Sequence, residues 1–188
     1  MTFKEFLISL NEEKLLSYLN GVEGDFKIPE MAHQKLLHRQ REFLFVGGMP
    51  EAVLAFSESK SLLSAREVHR SIVQTYQDDF VKYSKQASLA RLHKVFNSLP
   101  RSIGEKVKYS KISPEDRNSE IKSAIDLLIK ARLFLPAWHS DCSGLPLKAG
   151  IDEQVYKLYF LDVGLLNYLN GLDWKMIESL DERKLINE

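Results

Sequence analysis

The stretch FLFVGGMPEAV, residues 43–53, places two adjacent glycines and a proline between two apolar runs. Glycine pairs beside a helix often bind phosphate through backbone amides, but such a loop also needs a lysine for the charge and a serine or threonine for the metal. Here Gly48 is followed by Met49, Pro50 and Glu51. Proline has no N–H to offer an anion, and Glu51 would repel one. A phosphate loop is therefore excluded by the chemistry of these residues.

The same stretch predicts a corner between two helices. The first helix ends at Phe45 or Val46, and Gly47 or Gly48 takes a left-handed cap with a positive φ. Pro50 then opens the next helix, because its fixed φ suits a first helical residue and its missing N–H is not needed there. The residues Gly47, Gly48 and Pro50 are thus interpreted as a structural signature.

Composition indicates an ordinary globular chain. Its 188 residues allow one large or two small domains, with 44% hydrophobic and 28% charged residues. The longest apolar runs are far shorter than a membrane span, so no membrane association is expected and the cytoplasm is the expected compartment. The single Cys142 can form no internal disulfide. The oligomeric state is left open by the sequence.

The net charge is zero, but the charges are unevenly distributed. Between Lys82 and Lys111 there are eight cations and one acid, Glu105, which gives this segment +7. A one-sided segment suggests an anionic partner, either nucleic acid or an acidic surface of the same molecule. An ordinary solvated face balanced by the acidic ends of the chain is the alternative.

Apolar spacing of three and four predicts a mainly α fold: a helical bundle followed by a winged-helix domain with a small β-hairpin. In the second part, a helix over 88–99 precedes an extended piece from Lys106 to Tyr109. A further helix is predicted to open at Ser113 to Asp116, with Ile121, Ala124, Ile125 and Leu128 on its buried face. The hairpin strands are expected at 133–139 and 155–161, joined by a glycine- and proline-containing loop.

The order of short motifs along nearly the whole chain resembles the C-terminal part of a prokaryotic family of AAA-type P-loop ATPases. In that family an ATPase core is followed by a helical lid, a domain with the GGMPEAV signature and often a nuclease-like module. The resemblance is carried by TFKEFL, FVGGMPEAV, TYQDDFVKYS, KVKYSKI, EIKSAIDLLIKARLF, SGLPLKA and YKLYFLDVGLL. It implies a lid-like connector at 1–85, a winged-helix domain at 86–172 and a C-terminal helix or linker at 173–188.

The sequence departs from that family in two ways. It contains no phosphate-binding loop and no apolar strand ending in paired acids, so the ATP-binding core is missing, and it stops soon after LDVGLL, where the nuclease-like module would begin. We interpret it as the middle piece of a longer protein or as a short homologue that lost its motor. ATP and Mg²⁺ are expected only for the missing core. That core and the nuclease-like module are the expected partners of this chain in the full-length protein.

No catalytic or metal-binding constellation is evident in the sequence. Asp78 and Asp79 are adjacent in a predicted helix and so point about 100° apart. His33 and His38 are five residues apart and miss the i, i+4 spacing of a helical metal site. Catalytic, cofactor-binding and metal-binding residues are therefore all predicted to be absent from this chain.

The predicted recognition helix is electrically balanced. Across 115–132, Arg117, Lys122, Lys130 and Arg132 are cancelled by Glu115, Asp116, Glu120 and Asp126. A helix that neutralises phosphates usually carries an excess of lysine and arginine. The candidate contacts to duplex DNA or another anionic partner are instead Lys106, Lys108 and Lys111, Lys148 in the wing loop, and Arg91 and Lys94 on the preceding helix.

Two functions remain open. The first is a non-catalytic regulatory or interaction segment of an ATPase, whose winged half contacts an anionic partner. The second is a stand-alone winged-helix regulator that binds nucleic acid. The first is preferred, because the sequence shows neither a basic recognition helix nor a dimerisation heptad and because the resemblance is to an ATPase family.

Overall fold

The computed structural model of the chain describes residues 1–21, 28–83 and 86–179. Its longest helices are α3 and α5, and one pair of strands forms a hairpin. In chain order the elements are α1 (Phe3–Ser9), α2 (Glu13–Asn20), α3 (Glu30–Val46), α4 (Pro50–Ser59), α5 (Leu62–Tyr83), α6 (Gln86–Ser98), a 3-10 turn (Leu99–Ser102), α7 (Tyr109–Ile112), α8 (Asn118–Lys130), β1 (Phe134–Ser140), a 3-10 turn (Leu147–Gly150), β2 (Ile151–Phe160), α9 (Val163–Leu169) and α10 (Trp174–Glu178).

The elements group into two compact units. The first comprises the described residues of Met1–Gln74 and Asp162–Glu188, and the second comprises those of Thr75–Leu161. The predicted domain limits at 85, 86 and 172 stay a prediction, and the stretch 180–188 of the expected C-terminal segment lies outside the described residues. Helix α9 falls in the first unit, although it is distant in sequence from α1–α4.

In the first unit, α3 and α4 meet at the glycine corner. Helix α3 ends at Val46, and Gly47 follows it with φ +75° and ψ −166°. This is the positive φ expected of one of the two glycines, although ψ differs from that of a left-handed helical cap. Pro50 is the first residue of α4, as the sequence predicts, and Glu51 lies in the first turn, where its charge suits the helix dipole.

Apolar side chains of this corner form the core of the first unit. Phe6 of α1 is fully buried and stacks on Phe56 of α4, with ring centroids 5.9 Å apart and planes 9° apart. Ile177 of α10 is 1% exposed and belongs to the same cluster. Burying a phenylalanine contributes about 1.5–3 kcal/mol, so these three side chains help to hold α1, α4 and α10 together.

The second unit contains the hairpin and the helices α6 to α8. Strands β1 and β2 pair antiparallel from Phe134 opposite Phe160 to Ser140 opposite Ile151, with a bulge between Trp138 and His139. The predicted hairpin is confirmed, and β2 begins at Ile151, earlier than expected, because the residues after the loop continue the pairing beyond the bulge.

A third extended piece lies against β2 but is shorter than predicted. Lys106 forms an antiparallel bridge with Lys157, and the Val107 N–H donates to the Tyr156 carbonyl at 2.9 Å. Tyr109 was expected to be extended, but it begins the single-turn helix α7. The unit therefore has the order helix, extended bridge, two helices and two strands.

The start of α8 differs from its prediction. Ser113 was expected to cap the helix, but its hydroxyl donates to the Asp116 carboxylate at 2.6 Å, and the helix begins only at Asn118. Because Asp116 is held in this turn by Ser113 and by Arg91, it is not available for the first helical turn. The predicted buried face of α8 is confirmed, since it is made of Ile121, Ala124, Ile125 and Leu128.

These elements together confirm a mainly helical fold with a small antiparallel hairpin. The core of the second unit is aromatic at its centre, where Phe96 of α6 lies 6.4 Å from Phe134 of β1, with the rings edge to face. Among the described residues, no helix combines the length and the apolar character needed to cross a membrane.

Candidate anion-binding surface and the glycine corner

The glycine corner binds an anionic group of the same chain, the carboxylate of Asp162. The Gly48 N–H donates to Asp162 Oδ2 at 2.6 Å, and the Leu165 N–H donates to Asp162 Oδ1 at 3.0 Å. Asp162 is 9% exposed and is the N-cap of α9. Because the inward amide is satisfied by a carboxylate, a phosphate would be repelled here and would have no donor from Gly48.

Close backbone approach explains why glycines surround this carboxylate. A Cβ at Gly164 would lie 2.6 Å from the Gly47 nitrogen and from the Val46 carbonyl oxygen. A Cβ at Gly47 would overlap Asp162 Oδ1 and would lie 2.8 Å from the Gly164 nitrogen. The segments FVGG and DVGLL therefore meet backbone to backbone, which only glycine allows at these positions.

Two side chains satisfy the last carbonyls of α3. His69 of α5, 1% exposed, donates through Nε2 to the Val46 carbonyl at 2.9 Å, and Asn167 donates to the Leu44 carbonyl at 2.7 Å. Burial lowers the pKa of His69, while the bond to Val46 and the charge of Asp162 act in the opposite direction. His69 is thus a buried hydrogen-bond donor to the C-terminal end of α3.

Three of the predicted basic residues come together in the second unit. Lys106, Lys108 and Lys111 line a cavity of about 290 Å³, together with Arg101, which had been counted in the basic segment but not chosen as a candidate. Glu105 is the one acid that lines it among the described residues, and its carboxylate is 3.4 Å from Lys111 Nζ. Four cations and one acid therefore line this cavity among the described residues.

Arg91 and Lys94 do not extend this surface, because acids of the α7–α8 turn neutralise them. Arg91 Nε lies 3.0 Å from Asp116 Oδ1, and Lys94 pairs with Glu115. The hydrogen bond from Lys94 lowers the pKa of Glu115. The pKa of Asp116 is lowered by the bond from Ser113 and then by that from Arg91. These two cations therefore join α6 to the turn before α8.

Lys148 lies in the 3-10 turn Leu147–Gly150 between the strands, and its side chain is outside what the structure describes. Its surroundings in sequence are acidic, with Asp141 before it and Asp152 and Glu153 after it. Within the described ranges, no group of three histidine, cysteine or carboxylate side chains is placed to hold a metal ion.

A protein family described as a domain of unknown function, DUF8612, matches residues 37–176. The chain belongs to this family. The family region begins within α3 and ends within α10, so it includes the glycine corner, Asp162 and the basic cavity. No curated protein and no solved structure matches the chain.

The crowding at the glycine corner predicts a large loss of folding stability when a side chain is added at Gly47. We expect Gly47→Ala to destabilise the protein by about 3–5 kcal/mol, from the strained φ and the displaced Asp162 carboxylate. Gly171→Ala is the matched control, since Gly171 has φ +71° but no atom within 4 Å of an added Cβ. Urea unfolding measures both, and equal costs would mean that the contact with Asp162 contributes nothing.

Burial of His69 predicts that stability falls at mildly acidic pH. The unfolded chain takes up a proton as the pH falls through about 6.5, whereas folded His69, with its lowered pKa, stays neutral, so the proton favours unfolding. We expect the loss to begin near that pH and to grow until the folded pKa is reached. His69→Gln should make the free energy of unfolding depend less on pH between about 7 and 5. An unchanged dependence would contradict this.

Proposed function

We propose that this chain is a non-catalytic interaction segment of an AAA-type ATPase, and that its second unit binds an anionic partner, with duplex DNA as the leading candidate. The observation that carries the proposal is the basic cavity. Arg101, Lys106 and Lys108 line it, and none of the three has an acid within 4.0 Å among the described residues. Uncompensated cations around a concave surface favour an anionic ligand.

The topology of the second unit supports a nucleic-acid partner. The order of helix, extended bridge, two helices and hairpin supports the winged-helix interpretation, in which the unit is a relative of the helix-turn-helix fold. The basic cavity is formed by the extended piece, α7 and the turn after α6. A duplex approaching that side would meet lysines whose ammonium groups can reach phosphates.

The assignment to an ATPase rests on the motif resemblance. The geometry of the glycine corner adds no further support, because the signature stretch FVGGMPEAV packs in the first unit and its Gly48 N–H donates to Asp162. Nothing in this arrangement requires a nucleotide. The ATPase activity implied by the resemblance is assigned to a core that this sequence does not contain.

The absence of a phosphate-binding loop predicts that the chain does not bind ATP with useful affinity. Calorimetric titration with Mg²⁺-ATP should give no heat of specific binding. A dissociation constant of about 1 μM, which corresponds to roughly −8 kcal/mol, would overturn the assignment.

The basic cavity predicts salt-dependent binding of duplex DNA by the whole chain. We expect binding at about 50 mM salt, with an affinity that falls steeply on raising the salt, because each neutralised phosphate contributes about 0.9 to the slope of log affinity against log salt. Changing Lys106, Lys108 and Lys111 together to glutamate should abolish binding. Fluorescence anisotropy with a labelled duplex measures the effect.

A matched control separates the cavity from net charge. Lys14, Lys60 and Lys175 are exposed residues of the first unit, and changing all three to glutamate alters the net charge equally. This control should retain most of the binding. Absence of binding by the unaltered chain, or equal loss in both triple variants, would contradict a DNA site and favour docking of the cavity on an acidic surface of the motor or nuclease-like module.

A further inference from the structure

A pair of lysines faces each other across the sheet of the second unit. Lys106 and Lys157 are partners in an antiparallel bridge, and both are exposed. Directly opposed residues have Cβ atoms about 4.5–5.5 Å apart and point to the same face. Lys157 was not among the residues singled out by sequence, because it lies far from the basic segment and only the bridge brings it there.

The surroundings of this pair add a further cation, and the nearby Glu105 is paired with Lys111. On its other side Lys157 is opposite Ala137 of β1, whose small side chain leaves the sheet face beside the lysine open. Lys108 has extended backbone and is two residues from Lys106, so alternation places it on the same side. Among the described residues, neither Lys106 nor Lys157 has a carboxylate within 4.0 Å.

Like charges placed directly opposite each other destabilise a sheet. Among the described residues no carboxylate pairs with either lysine, so a bound anion would relieve their repulsion. Lysine binds phosphate as a point charge and does not require the planar geometry that arginine offers. The pair adjoins the basic cavity, since Lys106 belongs to the pair and also lines the cavity.

We propose that Lys157 acts with Lys106 and Lys108 as a phosphate-backbone site for duplex DNA, and that the duplex is held without reading its base sequence. The inference rests on the proposed function and specifies which elements carry it. Contacts to phosphates fix position but hold no sequence information. The outer face of the sheet and the cavity are then one continuous binding surface.

Helix α8 and the hairpin loop, the elements with which a winged helix usually contacts DNA, are unsuited to bind its phosphates. Helix α8 carries Lys122 and Lys130 against Glu120 and Asp126, so it has no net charge. In addition, Glu120 Oε1 lies 3.0 Å from Arg91 Nη2 and pairs with it. The hairpin loop is bordered by acids at 141, 152 and 153. Neither element would be drawn to phosphates, which leaves the sheet and cavity side to bind the duplex.

The test is Lys157→Gln in the whole chain, with Lys122→Gln as the matched control. Lys122 is exposed on α8, and both changes remove one positive charge. Affinity for two duplexes of equal length and unrelated sequence is measured by anisotropy over a series of salt concentrations. We expect the slope of log affinity against log salt to become shallower by about 0.9 for Lys157→Gln and to stay unchanged for Lys122→Gln. The two duplexes should bind equally.

Thermal unfolding at low salt without DNA is the second measurement. Because the repulsion between the two lysines is removed, Lys157→Gln should raise the Tm slightly, and added phosphate should raise the Tm of the unaltered chain more than that of the variant. An unchanged salt slope in Lys157→Gln, or a sequence preference that Lys122→Gln abolishes, would overturn the inference while leaving DNA binding intact. Absence of any duplex binding by the unaltered chain would overturn both.

Discussion

The carboxylate of Asp162 is the group on which the first unit depends. It accepts N–H bonds from Gly48 at the end of α3 and from Leu165 at the start of α9, segments that are 114 residues apart at the first of these contacts. A buried carboxylate is tolerated only when its oxygens are hydrogen-bonded, and removing a donor leaves an uncompensated charge. Helix α9 can therefore pack on α3 only if the corner presents its amide, and the corner can present it only if Gly47 adopts a positive φ. The glycine signature and the DVGLL segment are two halves of one contact.

This contact also occupies the backbone donor that a phosphate-binding glycine loop would use. The donor that a phosphate would use is aimed at an internal anion, and His69 and Asn167 complete the hydrogen bonds of the helix end. The corner thus uses the same physical attraction as a phosphate loop, backbone amide to anion, in the service of packing.

Local sequence patterns predicted the helices and strands better than the contacts between them. Helical spacing identified α8's buried face, and two strand-like runs joined by a glycine- and proline-containing loop identified the hairpin, because both signals are local in sequence. The start of α8 was misplaced since Ser113 has two uses for its hydroxyl, and only the fold shows that it bonds Asp116 in a turn tied to Arg91. The bond between Gly48 and Asp162 has no local signal at all. From the sequence alone, Gly48 resembles an ordinary helix cap and Asp162 an ordinary turn residue.

Charge counting along the chain missed specific ion pairs for a related reason. The segment 82–111 carries +7, but the acids that neutralise Arg91 and Lys94 lie at 115, 116 and 120, just beyond it. Once these pairs are removed from the excess, the uncompensated cations concentrate around Arg101, Lys106 and Lys108, and the bridge then adds Lys157 from a distant strand. A linear excess of charge therefore becomes a smaller but denser surface on one side of the sheet. Since field strength at a surface depends on how closely like charges are held and on whether acids intervene, the folded arrangement is a better basis for an anionic partner than the sequence total was.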